Sequence, residues 1–225
     1  MTTPSPSGFA VAIDGPVGVG KSTNARQAAA RLNMTYIDTG AMYRAVALYN
    51  MRRAVDPCDE AAITASLPHI NIALRGQQIL LNGEDITSQI RTQEISEAAS
   101  VIASYAPVRV KLAAMQQELA KAGDVVMDGR DIASKVLPWA QVKIYLDADA
   151  KIRAQRRANE LAAKGQPSDI DKIVQETIDR DYRDKNRAHS PLVQAPDAIL
   201  IDTSHMTKDE VVSHIVEIVL SARRP

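Results

Sequence analysis

The sequence has almost no cysteine and no net charge. Cys58 is the only cysteine among 225 residues, which excludes an internal disulfide framework and a zinc site built from several cysteines. The 27 Lys and Arg residues balance 27 Asp and Glu residues. Bulk charge therefore gives no reason to expect binding to a nucleic acid or a membrane surface.

The chain also lacks a long apolar segment and an export signal. No window approaches the roughly 18 consecutive apolar residues of a membrane span, so we expect no membrane association. Residues 1–8 have neither the basic start nor the apolar run of a secretory signal. Together with the single cysteine, these absences predict a cytoplasmic protein.

The composition that is present is typical of a folded protein. Apolar residues make up 45% of the chain and charged residues 24%, whereas a disordered regulator has fewer apolar residues and a charge imbalance. The length suits one domain with insertions or two small domains.

Short apolar runs alternate with helix-forming segments. Five such runs, each followed by an aspartate, lie at residues 9–13, 35–37, 125–127, 142–146 and 198–201. Near-continuous apolar runs are typical of strands buried on both faces of a parallel sheet. Segments with helical periodicity lie between them, the first at residues 22–31. The alternation predicts an α/β fold with right-handed crossovers.

Two segments interrupt this alternation. Residues 70–83 alternate apolar and polar side chains and contain Gly-Gln and Asn-Gly turn signals, which predicts an antiparallel hairpin within a small insert at about 60–100. Residues 108–122 are predicted to return to the core as a helix. Residues 150–188 are predicted to form two arginine-rich helices, the first ending at the C-cap signal Gly165 and the second beginning near Asp169.

Residues 15–22 match the phosphate-loop pattern G-x-x-x-x-G-K-[ST] between a predicted strand and a predicted helix. Glycines let consecutive backbone N–H groups point at phosphate oxygens, and the helix start adds partial positive charge. In this pattern Lys21 reaches the β- and γ-phosphates, and the Ser22 hydroxyl is a ligand for Mg²⁺. The predicted ATP-binding residues are Gly15, Pro16, Val17, Gly18, Val19, Gly20, Lys21, Ser22 and Thr23.

The loop indicates a nucleoside triphosphate but not a reaction. The chain has no Asn-Lys-x-Asp motif, which argues against a guanine-specific GTPase. The third strand ends in Asp128-Gly129 without a glutamate to activate water, which argues against a motor or transporter ATPase. A kinase that acts on a small acceptor remains.

Arginines follow two of the predicted strands. Arg44 comes soon after the second strand and Arg130 directly after the third. Ligands of open α/β folds bind at the carboxyl ends of the strands, and a guanidinium binds a phosphate in a bidentate manner. Both residues are therefore candidates to hold an acceptor phosphate.

The predicted helices of residues 150–188 carry two further arginine sets. By helical spacing we expect Arg153, Arg156 and Arg157 to share one face, and Arg180, Arg183 and Arg187 to share another. Such arginines neutralise the charge of a transferring phosphoryl group when a lid closes. Asp184 lies four residues after Arg180, close enough to pair with it. The pair forms either a surface salt bridge or a clamp in which Asp184 accepts hydrogen bonds from ribose hydroxyls.

Five segments in this order resemble the bacterial cytidylate kinases, namely residues 14–22, 38–44, 84–93, 128–131 and 180–187. The resemblance implies phosphoryl transfer from ATP to CMP or dCMP with Mg²⁺, and a P-loop kinase core with a five-stranded parallel sheet. It also implies one kinase unit over residues 1–225, with a core at about 9–58, 101–150 and 189–222, a nucleoside-monophosphate-binding insert at about 59–100 and a lid at about 151–188. We expect a monomer.

The resemblance also implies residue roles. Thr39, Arg44 and Arg130 match positions that hold the acceptor phosphate, and Ser100, Arg109 and Asp131 match positions that read the cytosine ring. Arg180 and Asp184 match a sugar clamp, Arg187 matches a ligand of the substrate side, and Arg156 or Arg157 matches the lid arginine. The catalytic candidates are Lys21, Arg130, Arg156, Arg157 and Arg183. The substrate-binding candidates are Thr39, Arg44, Ser100, Arg109, Arg130, Asp131, Arg180, Asp184 and Arg187.

The chain departs from the family pattern after Asp131. Ala133 replaces a glycine, and it would cost about 1 kcal/mol if the backbone there required a positive φ. Lys135 and Trp139 also depart from the pattern, and we expect altered kinetics or stability rather than lost activity. Two questions stay open at this point: whether a small P-loop kinase for UMP or another monophosphate is the better assignment, and which carboxylate positions Mg²⁺.

Overall fold

The computed structural model describes residues 8–163 and 165–224. Predictions that concern residues 1–7 and residue 164 lie outside the described residues. The chain divides into two compact units. The first unit comprises Met1–Tyr36 with Gly123–Pro225, and the second comprises Ile37–Ala122.

The strands of the core are separated along the chain by helical segments, as the sequence predicts. The strands are β1 (Ala10–Asp14), β2 (Thr35–Asp38), β3 (Ile72–Arg75), β4 (Gln78–Leu81), β5 (Glu84–Asp85), β6 (Val125–Asp128), β7 (Val142–Asp147) and β8 (Ile199–Asp202). The α-helices are α1 (Lys21–Arg31), α2 (Thr39–Met51), α3 (Glu60–Ser66), α4 (Gln93–Ile102), α5 (Ala106–Ala120), α6 (Ala150–Ala162), α7 (Ile170–Asn186) and α8 (Lys208–Ala222). Short 3₁₀-helices span Leu67–His69 and Gln89–Arg91, and a π-helix spans Ile132–Val136.

The five predicted core strands form a parallel sheet in the order β2-β6-β1-β7-β8. This confirms the predicted fold class. Ile13 of β1 is in register with Asp128 of β6 and with Ile144 of β7. All five strands end in an aspartate, at Asp14, Asp38, Asp128, Asp147 and Asp202. Polar groups therefore begin where the buried strands end, at the edge where parallel sheets bind ligands.

Small and branched apolar residues build the core of the first unit. All five residues of β1 are buried, because the strand lies in the middle of the sheet. Ala25, Ala28 and Ala29 of α1 are buried in the same cluster as Val212 and Ile215 of α8. Alanine side chains allow a helix to approach its neighbours closely, so α1 is held firmly behind the loop that precedes it.

The arginine-rich segment folds into a helix pair within the first unit. Helix α6 ends at Ala162, and the N–H of Gly165 (φ 68°) donates to the Ala162 carbonyl at 2.9 Å. The Asp169 carboxylate caps α7 by accepting from the N–H groups of Asp171 and Lys172. The two helices pack through Ala154, Ala158 and Ile173. Both helices are confirmed, but α7 ends at Asn186, so the expectation that Arg187 lies on its face is wrong.

The second unit contains the predicted hairpin. Strands β3, β4 and β5 form an antiparallel sheet, with Ile72 opposite Leu81. Gly76 (φ 59°) and Gln77 form the turn between β3 and β4, and Asn82 (φ 51°) and Gly83 (φ 88°) form the turn between β4 and β5. The second of these turns is anchored by a side chain. The Asn82 side chain ties it down by accepting from Asn71 N–H and donating to the His69 carbonyl. Helices α2, α4 and α5 supply the buried side chains Met42, Ile102 and Leu112 to the core of this unit.

Ala133 does not have the positive φ that would make an alanine costly. It lies inside the π-helix, and it is not among the described non-glycine residues with positive φ. It is buried, whereas Lys135 is exposed and Trp139 half-buried. An alanine therefore fits the backbone here without the cost that a left-handed conformation would impose.

No helix of residues 8–163 or 165–224 is both long enough and apolar enough to cross a membrane.

Candidate functional site

The loop between β1 and α1 has the geometry of a phosphate-binding loop. Gly15, Gly18 and Gly20 all have positive φ, at 150°, 75° and 89°. A Cβ on Gly15 would lie 2.1 Å from the carbonyl oxygen of Leu146, so only glycine fits there. Gly20 is the N-cap of α1 and supplies no capping side chain. The first N–H groups of α1 therefore face the loop with their partial positive charge.

Lys21 is buried inside this loop. Its Nζ donates to the carbonyl of Pro16 at 2.6 Å, and the residue is 6% exposed. Burial lowers the pKa of Lys21 well below its ordinary value, and the charge of Arg130 lowers it further. Asp128, Asp184 and Asp14 act in the opposite direction. A phosphate would supply the negative charge that this buried ammonium requires.

Ser22 and Tyr36 both hold the carboxylate of Asp128. Ser22 Oγ donates to Asp128 Oδ2 at 2.8 Å, and Tyr36 OH donates to Asp128 Oδ1 at 2.7 Å. Asp128 is 3% exposed. The structure thus pairs the predicted metal ligand Ser22 with a fixed carboxylate, the combination of oxygen ligands that Mg²⁺ prefers beside phosphates. Thr23, the last residue of the predicted ATP-binding set, is exposed on the first turn of α1.

Asp14 joins the end of β1 to the segment that follows β6. Its two carboxylate oxygens accept from the N–H groups of Ile132 at 2.9 Å and Ala133 at 2.8 Å. Burial raises the pKa of Asp14 to about 6, although these two hydrogen bonds lower it. The carboxylate therefore fixes the backbone just after Arg130 and Asp131. The sequence showed an aspartate at each strand end, but not that this one would bind a distant loop.

Arg130, Asp131, Asp184 and Arg187 form one partly buried ionic cluster. Arg130 Nε donates to Asp184 Oδ2 at 2.8 Å. Arg187 lies 3.9 Å from both Asp184 Oδ1 and Asp131 Oδ1. Burial would raise the pKa of Asp184, but Arg130, Arg180 and Arg187 together lower it. The structure brings these predicted substrate residues together, with Arg130 hydrogen-bonded to Asp184 and with Arg180 acting on the charge of Asp184.

The arginines of α6 do not share one environment. Arg153 is 4% exposed and hydrogen-bonds to Val17, Ala148 and Asp181. Arg156 donates to the carbonyl and the hydroxyl of Thr203. Arg157 lies 3.5 Å from Glu160, and Arg183 of α7 is exposed. The three arginines lie within α6 at the predicted spacing, but Arg153 is buried while Arg156 and Arg157 are only partly covered.

The second unit holds the other predicted phosphate ligand, Arg44. Arg44 Nη2 lies 3.2 Å from Asp38 Oδ2, and Asp38 also accepts from the Ala41 N–H and so caps α2. A Cβ on Gly40 would lie 3.2 Å from Arg44 Nη1, so the small residue leaves room for the guanidinium. Thr39 is buried beside Asp38. Asp38 therefore orients an arginine whose remaining donors suit an anion.

Ser100 and Arg109, the residues predicted to read a base, also lie in the second unit. Arg109 Nη1 donates to the Ala103 carbonyl at 2.9 Å, and its guanidinium lies 5.6 Å from the centre of the Tyr43 ring. Arg109 is 6% exposed. The buried Ser100 Oγ has no hydrogen-bond partner among the described residues. A buried hydroxyl of this kind is suited to a polar ligand, because leaving it unpaired costs free energy.

Comparison with known proteins finds a matching family model and close sequence relatives over most of the chain. The model of the family described as "Cytidylate kinase" matches residues 11–221. The chain is 47% identical over 209 residues to the cytidylate kinase of Desulforamulus reducens, covering 92% of this chain and 94% of that protein. It is 46% identical over 215 residues to the cytidylate kinase of Geobacillus kaustophilus, covering 94% and 96%.

One solved structure supports the fold alone. An uncharacterized protein from Eubacterium ventriosum superposes with a TM-score of 0.53 at 14% identity. The match covers 95% of this chain and 98% of that one.

Proposed function

Since the chain belongs to the cytidylate kinase family, we propose that it transfers the γ-phosphoryl group of ATP to CMP or dCMP, giving CDP or dCDP. The observation that carries the proposal is in the first unit. There the phosphate loop follows β1, and Arg130 and Asp131 follow the neighbouring strand β6. Asp184 and Arg187, from the end of α7, complete an ionic cluster with these two residues. A loop for ATP beside an arginine cluster for a second anion suits phosphoryl transfer between two nucleotides.

Gly15 to Thr23 bind the phosphates of ATP in this proposal. The backbone N–H groups and the start of α1 attract the anion. Lys21 exchanges the Pro16 carbonyl, to which it donates at 2.6 Å, for phosphate oxygens. This exchange places the ammonium where negative charge develops during transfer, and such electrostatic stabilisation is usually the largest contribution to the rate.

Ser22 and Asp128 are the residues that would hold Mg²⁺. The hydroxyl and the carboxylate are 2.8 Å apart, and Tyr36 fixes the other carboxylate oxygen. When bound, the ion neutralises charge on the phosphates and orients them. Asp128 is our candidate for the carboxylate that positions it, which the sequence left open.

The acceptor phosphate is assigned to Arg44 and Arg130, with Thr39. In each unit an aspartate now holds the arginine, Asp38 for Arg44 and Asp184 for Arg130. These partners keep the guanidinium groups extended and aligned before the substrate arrives, which reduces the entropy cost of binding. Arg180, Asp184 and Arg187 are assigned to the sugar and phosphate of the acceptor.

Ser100, Arg109 and Asp131 are assigned to the cytosine ring. Cytosine has an amino donor at N4 and acceptors at N3 and O2. Asp131 accepts from the amino group, and Ser100 and Arg109 donate to the acceptors. The buried, unpaired Ser100 hydroxyl supports this assignment, because a ligand that pairs it removes a desolvation cost.

The lid at about 151–188 supplies Arg156, Arg157 and Arg183 to the transferring phosphoryl group in this proposal. The core remains at about 9–58, 101–150 and 189–222, and the monophosphate-binding insert at about 59–100. We also propose a cytoplasmic monomer, since ATP and CMP are cytoplasmic metabolites and the assigned residues all come from one chain.

A monophosphate panel tests the substrate. ADP release is measured in a coupled assay with ATP, Mg²⁺ and CMP, dCMP, UMP, AMP or GMP in turn. We expect CMP and dCMP to have a kcat/KM at least about tenfold above UMP, because uracil presents an acceptor where cytosine presents the N4 amino donor to Asp131. Equal or better turnover of UMP or AMP would contradict the assignment and favour a different monophosphate kinase.

A further inference from the structure

A buried ion pair contacts the phosphate loop from outside it. Arg153 Nη2 donates to Asp181 Oδ2 at 2.6 Å, and the side chains of Arg153 and Asp181 are 5% and 12% exposed. Arg153 comes from α6 and Asp181 from α7. None of the roles assigned above uses either residue.

Both members of the pair bond to the same residue of the loop. Arg153 Nη1 donates to the Val17 carbonyl at 2.8 Å, and the Val17 N–H donates to Asp181 Oδ1 at 3.4 Å. The third donor, Arg153 Nε, bonds to the Ala148 carbonyl at 2.8 Å. The fork geometry of a guanidinium allows these three bonds at once, which a lysine could not make.

The backbone of the loop is shaped to admit this contact. Gly18 follows Val17, and a Cβ on Gly18 would lie 3.3 Å from the Cβ of Arg153. Lys21 already donates to the carbonyl of Pro16, one residue before Val17. Two consecutive carbonyls of the loop are therefore held by two different cations, one from the loop itself and one from α6.

Helix α7 presents a second aspartate one turn after Asp181. Asp181 contacts the phosphate loop, whereas Asp184 accepts from Arg130 in the acceptor cluster. Residues three apart lie on the same side of a helix. Helix α7 thus contacts the loop proposed to bind ATP through Asp181, and the cluster proposed to bind the acceptor through Asp184.

We propose that Arg153 and Asp181 are positioning residues that fix the phosphate loop in its ATP-binding conformation. The pair holds the Val17 peptide at both its N–H and its carbonyl. The neighbouring N–H groups of the loop then stay oriented for phosphate before ATP binds, so less ordering is required on binding. Neither residue touches ATP in this proposal, and both act through the backbone of Val17. The kinetic consequence rests on the proposed kinase activity, but the loop geometry does not.

The test uses Asp181→Asn in the full chain. The amide oxygen still accepts from Arg153, but the amide nitrogen cannot accept from Val17 N–H. We expect the KM for ATP to rise about tenfold while the KM for CMP changes less than about twofold. Deuterium exchange of the peptide that covers residues 15–20 should become faster. Asp184→Asn should show the opposite pattern, with the larger rise in the KM for CMP.

Glu176→Gln is the matched control on α7, because Glu176 is exposed and pairs only weakly with Lys172 at 4.0 Å. It should leave both KM values and loop exchange unchanged. If Asp181→Asn does not fold, Arg153→Lys replaces it, since lysine keeps the charge and loses the fork. Unchanged loop exchange in a folded variant, or equal rises in both KM values, would overturn the proposal. Should the wild-type protein not phosphorylate CMP, loop exchange and calorimetric ATP binding still decide the role of the pair.

Discussion

The phosphate loop and the arginine cluster of the first unit hold their cations in different ways. Lys21 donates to the carbonyl of Pro16, five residues earlier in the same loop. Arg130 instead donates to Asp184, 54 residues away. The glycines and the lysine of the loop are therefore recognisable in a short sequence, although Arg153 and Asp181 also bond to Val17 from distant helices. The role of each arginine depends on which distant carboxylate reaches it.

The environments of the two regions differ as well. The environment of Lys21 lowers its pKa, with burial as the largest cause. Burial also lowers the pKa of Arg130, whose side chain is 20% exposed, but the carboxylate of Asp184 outweighs burial and raises that pKa. A phosphate is thus needed to complete the charge balance around Lys21, whereas the arginine cluster is already balanced and must exchange partners when a substrate binds.

The largest expected effect comes from a substitution in the phosphate loop. Lys21→Met should lower kcat on the order of a thousandfold, because the variant loses the cation that meets the transferring phosphoryl group. Binding of CMP, measured by calorimetry in the absence of ATP, should stay within about threefold of wild type. Lys151→Met, at an exposed position of α6, serves as the control. Retained turnover in Lys21→Met would show that the loop has been misinterpreted.

An intermediate effect is expected from the region that depends on distant partners. Arg187→Met should raise the KM for CMP about tenfold or more, because it removes a cation that faces both Asp131 and Asp184. Arg183→Met is the natural comparison, since Arg183 is exposed four residues earlier. It should act on kcat rather than on the KM for CMP, as a lid arginine would. Steady-state kinetics with CMP as the varied substrate separates an effect on KM from an effect on kcat. Equal rises of the KM for CMP in Arg187→Met and Arg183→Met would contradict the different roles of these arginines.

The smallest effect concerns Asp14, which links the two regions. Burial raises its pKa to about 6 from the ordinary 3.8, so the folded protein binds this proton more tightly than the unfolded chain does. Its contribution therefore favours folding at pH values below 3.8 and is lost as the pH rises through about 6. Urea unfolding of wild type and Asp14→Asn at several pH values from 4 to 7 isolates this contribution.

The difference in unfolding free energy between wild type and Asp14→Asn should move against the wild type as the pH rises over that window. A constant difference would mean that the Asp14 carboxyl titrates normally in the folded protein. Asp209→Asn, at an exposed position near the start of α8, is the control for removing a surface carboxylate.

Most of the fold was predictable because it depends on local patterns. The five apolar runs, the antiparallel strands with their turns at Gly76-Gln77 and Asn82-Gly83, and the C-cap at Gly165 all form as expected. Periodicity and turn chemistry act over a few residues, so they are legible in the sequence. The end of α7 was not legible, because Arg187 is a good helix former that leaves the helix to reach Asp131 and the Ser190 carbonyl.

The candidate site was predictable only as a set of residue types. The spacing of Arg153, Arg156 and Arg157 predicted a shared helical face and made only Arg156 and Arg157 catalytic candidates, but Arg153 is the one buried against the phosphate loop. Tyr36 and Asp181 attracted no functional prediction, because a tyrosine in a strand and an aspartate in a charged helix are common. Their significance lies in their partners, Asp128 and Val17.

The sequence by itself determined the α/β alternation, the phosphate loop and the arginines that follow the strands. These features rest on backbone preferences and on residue spacing, which act along the chain. The tertiary structure alone decided which charges meet, including the Asp14 carboxylate with the Ile132 and Ala133 amides and the Arg153 guanidinium with Asp181. The physical reason is that ion pairs and buried hydrogen bonds depend on distance in space, which is fixed only when the sheet and its helices pack.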